Sequence, residues 1–120
     1  MRVRAIRGAT QLLVDDPAEM ALAVTELLTE IFEKNSLAKS DLISIFFTST
    51  DDLISDFPAA AARQLDLGDI PLMCAREIPV TGSLERVVRV MVHAHCELSH
   101  AQIRHIYTRG AQALRRDIAQ

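Results

Sequence analysis

A chain of 120 residues, 49% hydrophobic and 24% charged, suffices for one domain around a single core. A net charge of −3 excludes the basic surface that a nucleic-acid partner needs, and four Phe, one Tyr and no Trp make no base-stacking platform. No apolar run approaches the roughly 20 residues of a membrane helix, so neither nucleic acid nor membrane is an expected partner, and an anionic ligand must be held by a few placed arginines.

The opening MRVRAIRGAT interleaves charges with small residues and does not read as a secretory signal. Cys74 and Cys96 are the only cysteines and show neither a CxxC spacing nor disulfide density, so reduced thiols in the cytoplasm are expected. Val3 to Thr10 alternates as a strand, with Val3, Ala5, Arg7 and Ala9 on one face. Arg2, Arg4 and Ile6 take the other, where the two arginines read as solvent-facing. Arg7, among small apolar residues, needs a partner, either a ligand anion or a structural carboxylate.

Asp16-Pro17-Ala18-Glu19 opens a helix with a capping Asp, a Pro in its first position and a Glu in its third. Met20, Val24, Leu27, Leu28 and Ile31 keep helical spacing to about Glu33, while Glu19, Glu26, Glu30 and Glu33 read as a solvated face. The polar run from Asn35 to Ser40 ends it. Leu42 to Thr48 reads as a buried central strand, and the chain turns between Thr48 and Asp52. Phe57 to Leu65 reads as a short helix with Pro58 in its first turn and Gly68 past its end; Phe57 is either core or ligand wall, and Arg63 either surface or ligand contact.

Two further extended segments join near Thr81-Gly82. On the first, Ile70 to Ile78, Cys74 and Glu77 have opposite parity and cannot serve one pocket within a single regular subunit. A ring of subunits removes that conflict, because each side of the strand can line a different site. On the second, Leu84 to Ala94, Val87, Arg89, Met91 and His93 share one face and Val88, Val90 and Val92 the other. Both faces are mostly apolar, as in a strand covered on two sides. An arginine at its centre is costly unless it meets an anion, forms an internal ion pair or reaches an exposed edge.

His93, His95 and Cys96 give at most two ligands on one face, and no metal site is expected. Cys74 reads as a neutral thiol rather than a nucleophile, and four scattered glycines form no phosphate loop. Ser99 to Gln102 resembles a capping box over one helical turn. Ile103 to Tyr107 reads as a short strand with His105 and Tyr107 on one face. A tail expected to be mobile from about residue 110 carries Leu114 and Arg115.

Glu77, Val80-Thr81-Gly82 and the Arg89-Val90-Met91 strand together resemble the trimeric, barrel-like class of chorismate mutase, distinct from the all-helical class. RVRAIRGAT, FPAAAARQL and QIRHIY followed by LRRD resemble the same family in the same order, across most of the chain. The resemblance implies an α+β fold over residues 1–120: a mixed sheet of about five strands, with one long helix and short helices on one side. Three such subunits would form a pseudo α/β barrel with pockets between neighbours. The implied activity is the rearrangement of chorismate to prephenate in phenylalanine and tyrosine biosynthesis, without cofactor or metal.

The resemblance also implies roles. Arg89 would donate to the ether oxygen and a nearby carboxylate, Arg7 and Arg63 would hold carboxylates, Tyr107 would position one, and Arg115 would close the entrance. Glu77 would accept from the ring hydroxyl, with Cys74 of a neighbouring subunit nearby. Phe57, Ala59, Leu72, Met73 and Leu114 would supply the wall. Two positions depart from the family pattern: Ala60 stands where many relatives have lysine, and Met73 where Thr is common. A trimeric binding module for a small carboxylate metabolite, using the same arginines without catalysis, fits the residue pattern as well.

Overall fold

The strand Val87–His95 (β4) is the centre of the molecule. In this computed structural model, which describes residues 2–114, β4 lies inside a five-stranded sheet. Val3–Gln11 (β1) pairs antiparallel with one side of it and Leu42–Ser49 (β2) antiparallel with the other. Leu72–Arg76 (β3) continues the sheet parallel to β2, and Ile106–Tyr107 (β5) adds parallel to β1, giving the order β3-β2-β4-β1-β5. A strand so rich in β-branched residues suits this inner position, where Val88, Val92 and Ala94 are fully buried.

One face of the sheet is closed by helix Pro17–Lys34 (α1) and the short helix Pro58–Ala62 (α2). The Asp16 carboxylate accepts from the Glu19 N–H at 3.1 Å and starts α1, which buries Met20, Ala23, Val24, Leu27, Leu28 and Ile31. Asn35 ends it from a buried position. Its amide donates to the Ile31 and Arg104 carbonyls at 2.9 and 3.0 Å and accepts from the Arg104 N–H at 2.8 Å. That tie brings residues 104–107 alongside β1. Gly8 permits the close approach of α1, since a Cβ there would lie 2.8 Å from the Ile106 carbonyl and 2.9 Å from Ile31 Cδ1.

The expected mixed sheet of five strands is present, with differences in detail. β2 separates the two segments that join near Thr81-Gly82, so β3 and β4 are not neighbours. β2 is an inner strand, but β4 holds the centre. β4 begins at Val87 rather than Leu84, because Arg86 turns out of line with φ +53° while its N–H is held by the Asp52 carboxylate. The strand after Ile103 is only Ile106–Tyr107. Ser99 to Gln102 forms a turn, in which the Gln102 side chain accepts from the Ser99 N–H at 2.9 Å. α1 covers the side of β1 that carries Ile6 and Gly8, and Arg4 on that side is half-buried, its Nε donating to the Leu98 carbonyl at 2.8 Å.

The second face, expected to be covered, is left open by the described residues of the chain. Phe46 is 44% and Met73 58% exposed there, beside half-buried Arg7, Arg89, Met91 and His93. The Gly8→Ala substitution should destabilise the fold by about 1–3 kcal/mol, since a backbone carbonyl cannot yield as a side chain does. Urea unfolding should show a lower midpoint at an unchanged m-value.

Candidate active site

Pairing places the polar residues of the open face together. Thr48 and Ala9 are the two register partners of Arg89, and Tyr107 is the partner of Ala9. Paired residues project to the same side of a sheet, so Arg7, Thr48, Arg89 and Tyr107 come together from four strands. With Phe46, Met91 and Glu77 they line a cavity of about 260 Å³.

Glu77 lies one residue past β3, and its N–H donates to the Ser49 carbonyl at 2.9 Å. Its carboxylate accepts from the Thr48 hydroxyl, and Oε1 lies 3.3 Å from Arg89 Nε. The latter contact is an ion pair without hydrogen-bond alignment. Arg89 Nε is thus a buried donor with no hydrogen-bond partner among the described residues. Two guanidinium groups face one carboxylate around the cavity, leaving it net positive in a chain of negative net charge. The Arg7 N–H donates to His105 Nδ1 at 3.0 Å, which fixes this part of β1 against the segment leading to Tyr107.

A second cavity, about 420 Å³, is lined by Leu53, Ser55, Phe57, Pro58, Cys74 and Arg76 among others. Cys74 is the register partner of buried Phe47, which puts it on the helix-covered side, opposite Arg89. Phe57 is 70% exposed at the start of α2. The wall before it is braced twice. Arg76 Nη1 donates to the Thr50 and Leu53 carbonyls at 3.1 and 3.3 Å. The Asp15 carboxylate accepts from the Ile54 and Ser55 N–H groups, both at 3.1 Å, and the Ile54 N–H above all holds its pKa below the ordinary carboxylate value.

The residues expected to form one site thus divide between two. Arg7, Glu77, Arg89 and Tyr107 share the first cavity, and Phe57 and Cys74 the second. Ala59 is buried in α2 and Ala60 half-buried, and Arg63 is exposed on the 3-10 turn that follows. Leu72 packs against the core, whereas Met73 sits beside Phe46 on the open face. Leu114 packs with Ala9, Val87, Tyr107 and Ala111. Arg115 lies outside the described residues. Among those described, no group of three or more His, Cys, Asp or Glu is arranged to hold a metal.

Phe46, Thr48 and Met91 were not anticipated as lining residues. Their alternation with Phe47 and Val90 is visible in the sequence, but their partners depend on the β2–β4 register, which includes an irregularity between Leu42 and Ser44.

The chain is similar over nearly all of its length to proteins of known activity. The profile of the family described as chorismate mutase type I matches residues 3–118. The chorismate mutase AroH of Thermus thermophilus is 43% identical over 117 residues, which span 97% of this chain and 96% of that one. The chorismate mutase AroH of Bacillus subtilis is 35% identical over 120 residues, 99% of this chain and 94% of its own. A solved chorismate mutase from Clostridium thermocellum superposes with a TM-score of 0.89 at 44% identity, covering 92% of this chain and 98% of its own.

The Asp15 brace makes a testable statement about acid. A carboxylate with a depressed pKa stabilises the fold at pH above its unfolded value, and that contribution is lost as pH falls through the folded value. The Ile54 and Ser55 amide NMR shifts should therefore titrate together with a midpoint below 3.8, and Asp15→Asn should abolish the step.

Proposed function

The chain belongs to the chorismate mutase type I family, the mixed-sheet class rather than the all-helical one, and we propose from that premise that it is an isomerase converting chorismate to prephenate. The observation that carries the mechanism is Arg89. Its guanidinium stands on the most deeply embedded strand, oriented by Glu77, with a buried Nε–H that has no hydrogen-bond acceptor among the described residues.

The rearrangement is unimolecular: a carbon–oxygen ether bond breaks while a carbon–carbon bond forms. The protein's task is to hold a dianion in its compact reactive conformer and to stabilise charge developing on the ether oxygen. Arg89 addresses that oxygen and an adjacent carboxylate from one planar fork. Arg7 binds a carboxylate, and Tyr107 helps to position it. Glu77 accepts from the ring hydroxyl and keeps the local charge in balance. The rearrangement requires no covalent intermediate with the protein.

The wall that completes this pocket is assigned to a neighbouring copy of the chain. Phe57, Ala59, Arg63, Leu72 and Cys74 form it, while Met73 and Leu114 add apolar wall from the Arg89 side and Arg115 closes the mouth. The division of the residues over two sides of one sheet supports this reading, as does the open apolar face with Phe46, Met73 and Met91. The assembly is a homotrimer making a pseudo α/β barrel. Its place in phenylalanine and tyrosine biosynthesis follows from the product, and a cytoplasmic location is consistent with two free cysteines.

Purified protein should consume chorismate, followed by loss of its absorbance in chelator-containing buffer, and yield prephenate. Binding without turnover would replace the mutase with a carboxylate-binding module. Arg89→Ala should lower kcat/KM by at least about 10²–10³, roughly 3–4 kcal/mol of transition-state stabilisation. Arg89→Lys should also be poor, and a variant within tenfold of wild type would remove Arg89 from its role. Sedimentation equilibrium should give three times the 13.3 kDa chain mass; an active monomer would refute the interfacial site.

A further inference from the structure

Arg109 is an ordinary residue held in a conformation that favours glycine, with φ +54°, although glycine follows it in the sequence. Its side chain accounts for the choice. Nη1 lies 3.0 Å from Glu19 Oε2 and Nε 3.5 Å from Glu26 Oε1, so one guanidinium bridges two carboxylates of α1. Glu19, read from the sequence as part of a solvated face, has a side chain only 12% exposed, and its Oε2 also accepts from the Leu13 N–H at 2.8 Å. The Glu19 carboxylate therefore joins the loop after β1, the start of α1 and the C-terminal turn.

That turn, Arg109–Ala113, stands between two residues of interest. Tyr107 lines the Arg89 cavity just before it, and Leu114 packs on Tyr107 and Ala9 just after it. The Thr108 N–H donates to the Ala9 carbonyl at 2.9 Å, and Ala111 is fully buried. Gly110 is pressed against Gln11, whose Oε1 would lie 1.8 Å from a Cβ at that position. The turn is thus seated on β1, and the Arg109 bridge attaches it to the helix behind.

We propose that Arg109 is a positioning residue: through Glu19 and Glu26 it holds the C-terminal turn so that Tyr107 and Leu114 stand ready at the Arg89 cavity. This rests on the mutase reading, and it predicts an effect on substrate capture rather than on chemistry. When the bridge is cut, only the fraction of molecules with a seated turn binds productively, and KM rises by the inverse of that fraction. Substrate binding then reseats the turn, and kcat is retained.

Arg109→Ala should raise KM about tenfold with kcat within about twofold. Arg109→Lys, which keeps a charge but cannot bridge both carboxylates, should fall between. Hydrogen exchange at the Thr108, Ala111 and Leu114 amides should accelerate in Arg109→Ala while that of β4 does not. An unchanged KM, unchanged exchange at those amides, or a general loss of Tm and kcat together would overturn the proposal. Should Arg109→Ala not fold, Glu26→Gln on the helix surface decides, with a KM rise of about threefold for the proposal and no change against it. A wild-type protein without mutase activity would refute the proposed function, while the exchange measurement would still report on the bridge.

Discussion

The contact between Arg89 and Glu77 is the constraint to which the rest of the molecule answers. A guanidinium in the middle of the central strand cannot be left alone, and full burial of the pair would cost more in desolvation than attraction returns. The fold keeps Arg89 half-exposed on the open face and brings Glu77 to it from beyond the end of another strand. The alternation of Val88, Val90 and Val92 with Arg89 and Met91 holds this arrangement. A slip of one residue would drive the arginine into the core beneath α1.

From the same alternation follows a sheet with two unlike sides. The side of Ile6, Phe47 and Val92 is closed within the chain, whereas that of Phe46, Met73 and Met91 carries apolar surface that the other described residues leave uncovered. Exposed apolar area grouped around a net positive cavity is what a shared interface site requires. In the proposed trimer each copy contributes its arginine side to one pocket and its Phe57 side to the next. The parity conflict between Cys74 and Glu77 becomes a means of serving two pockets with one strand.

In the loops of the fold, Asp15, Asp52 and Glu19 act as braces more than as solvating charge. Asp15 holds the N–H groups of Ile54 and Ser55, Asp52 that of Arg86, and Glu19 that of Leu13 together with the Arg109 guanidinium. Each satisfies backbone donors that a loop would otherwise leave open. A chain of negative net charge can therefore present a positive pocket: many of its carboxylates are turned toward its own loops, and two arginines are left facing the cavity.

Much was legible in the residues alone, because local rules govern it. Asp16-Pro17 and the spacing from Met20 to Ile31 specify α1, and the valine alternation of β4 specifies which side Arg89 takes. The short motifs around Arg7, Phe57, Glu77, Arg89 and Tyr107 carry the family. What the tertiary structure decided depends on contacts between distant segments. The insertion of β2 between β3 and β4, the meeting of Thr48 with Glu77, and the engagement of Glu19 by Arg109 across 90 positions belong here. Periodicity tells which side of an element a residue occupies. Only the packed register tells what stands opposite, since strand pairing is set by the summed fit of all the side chains at once.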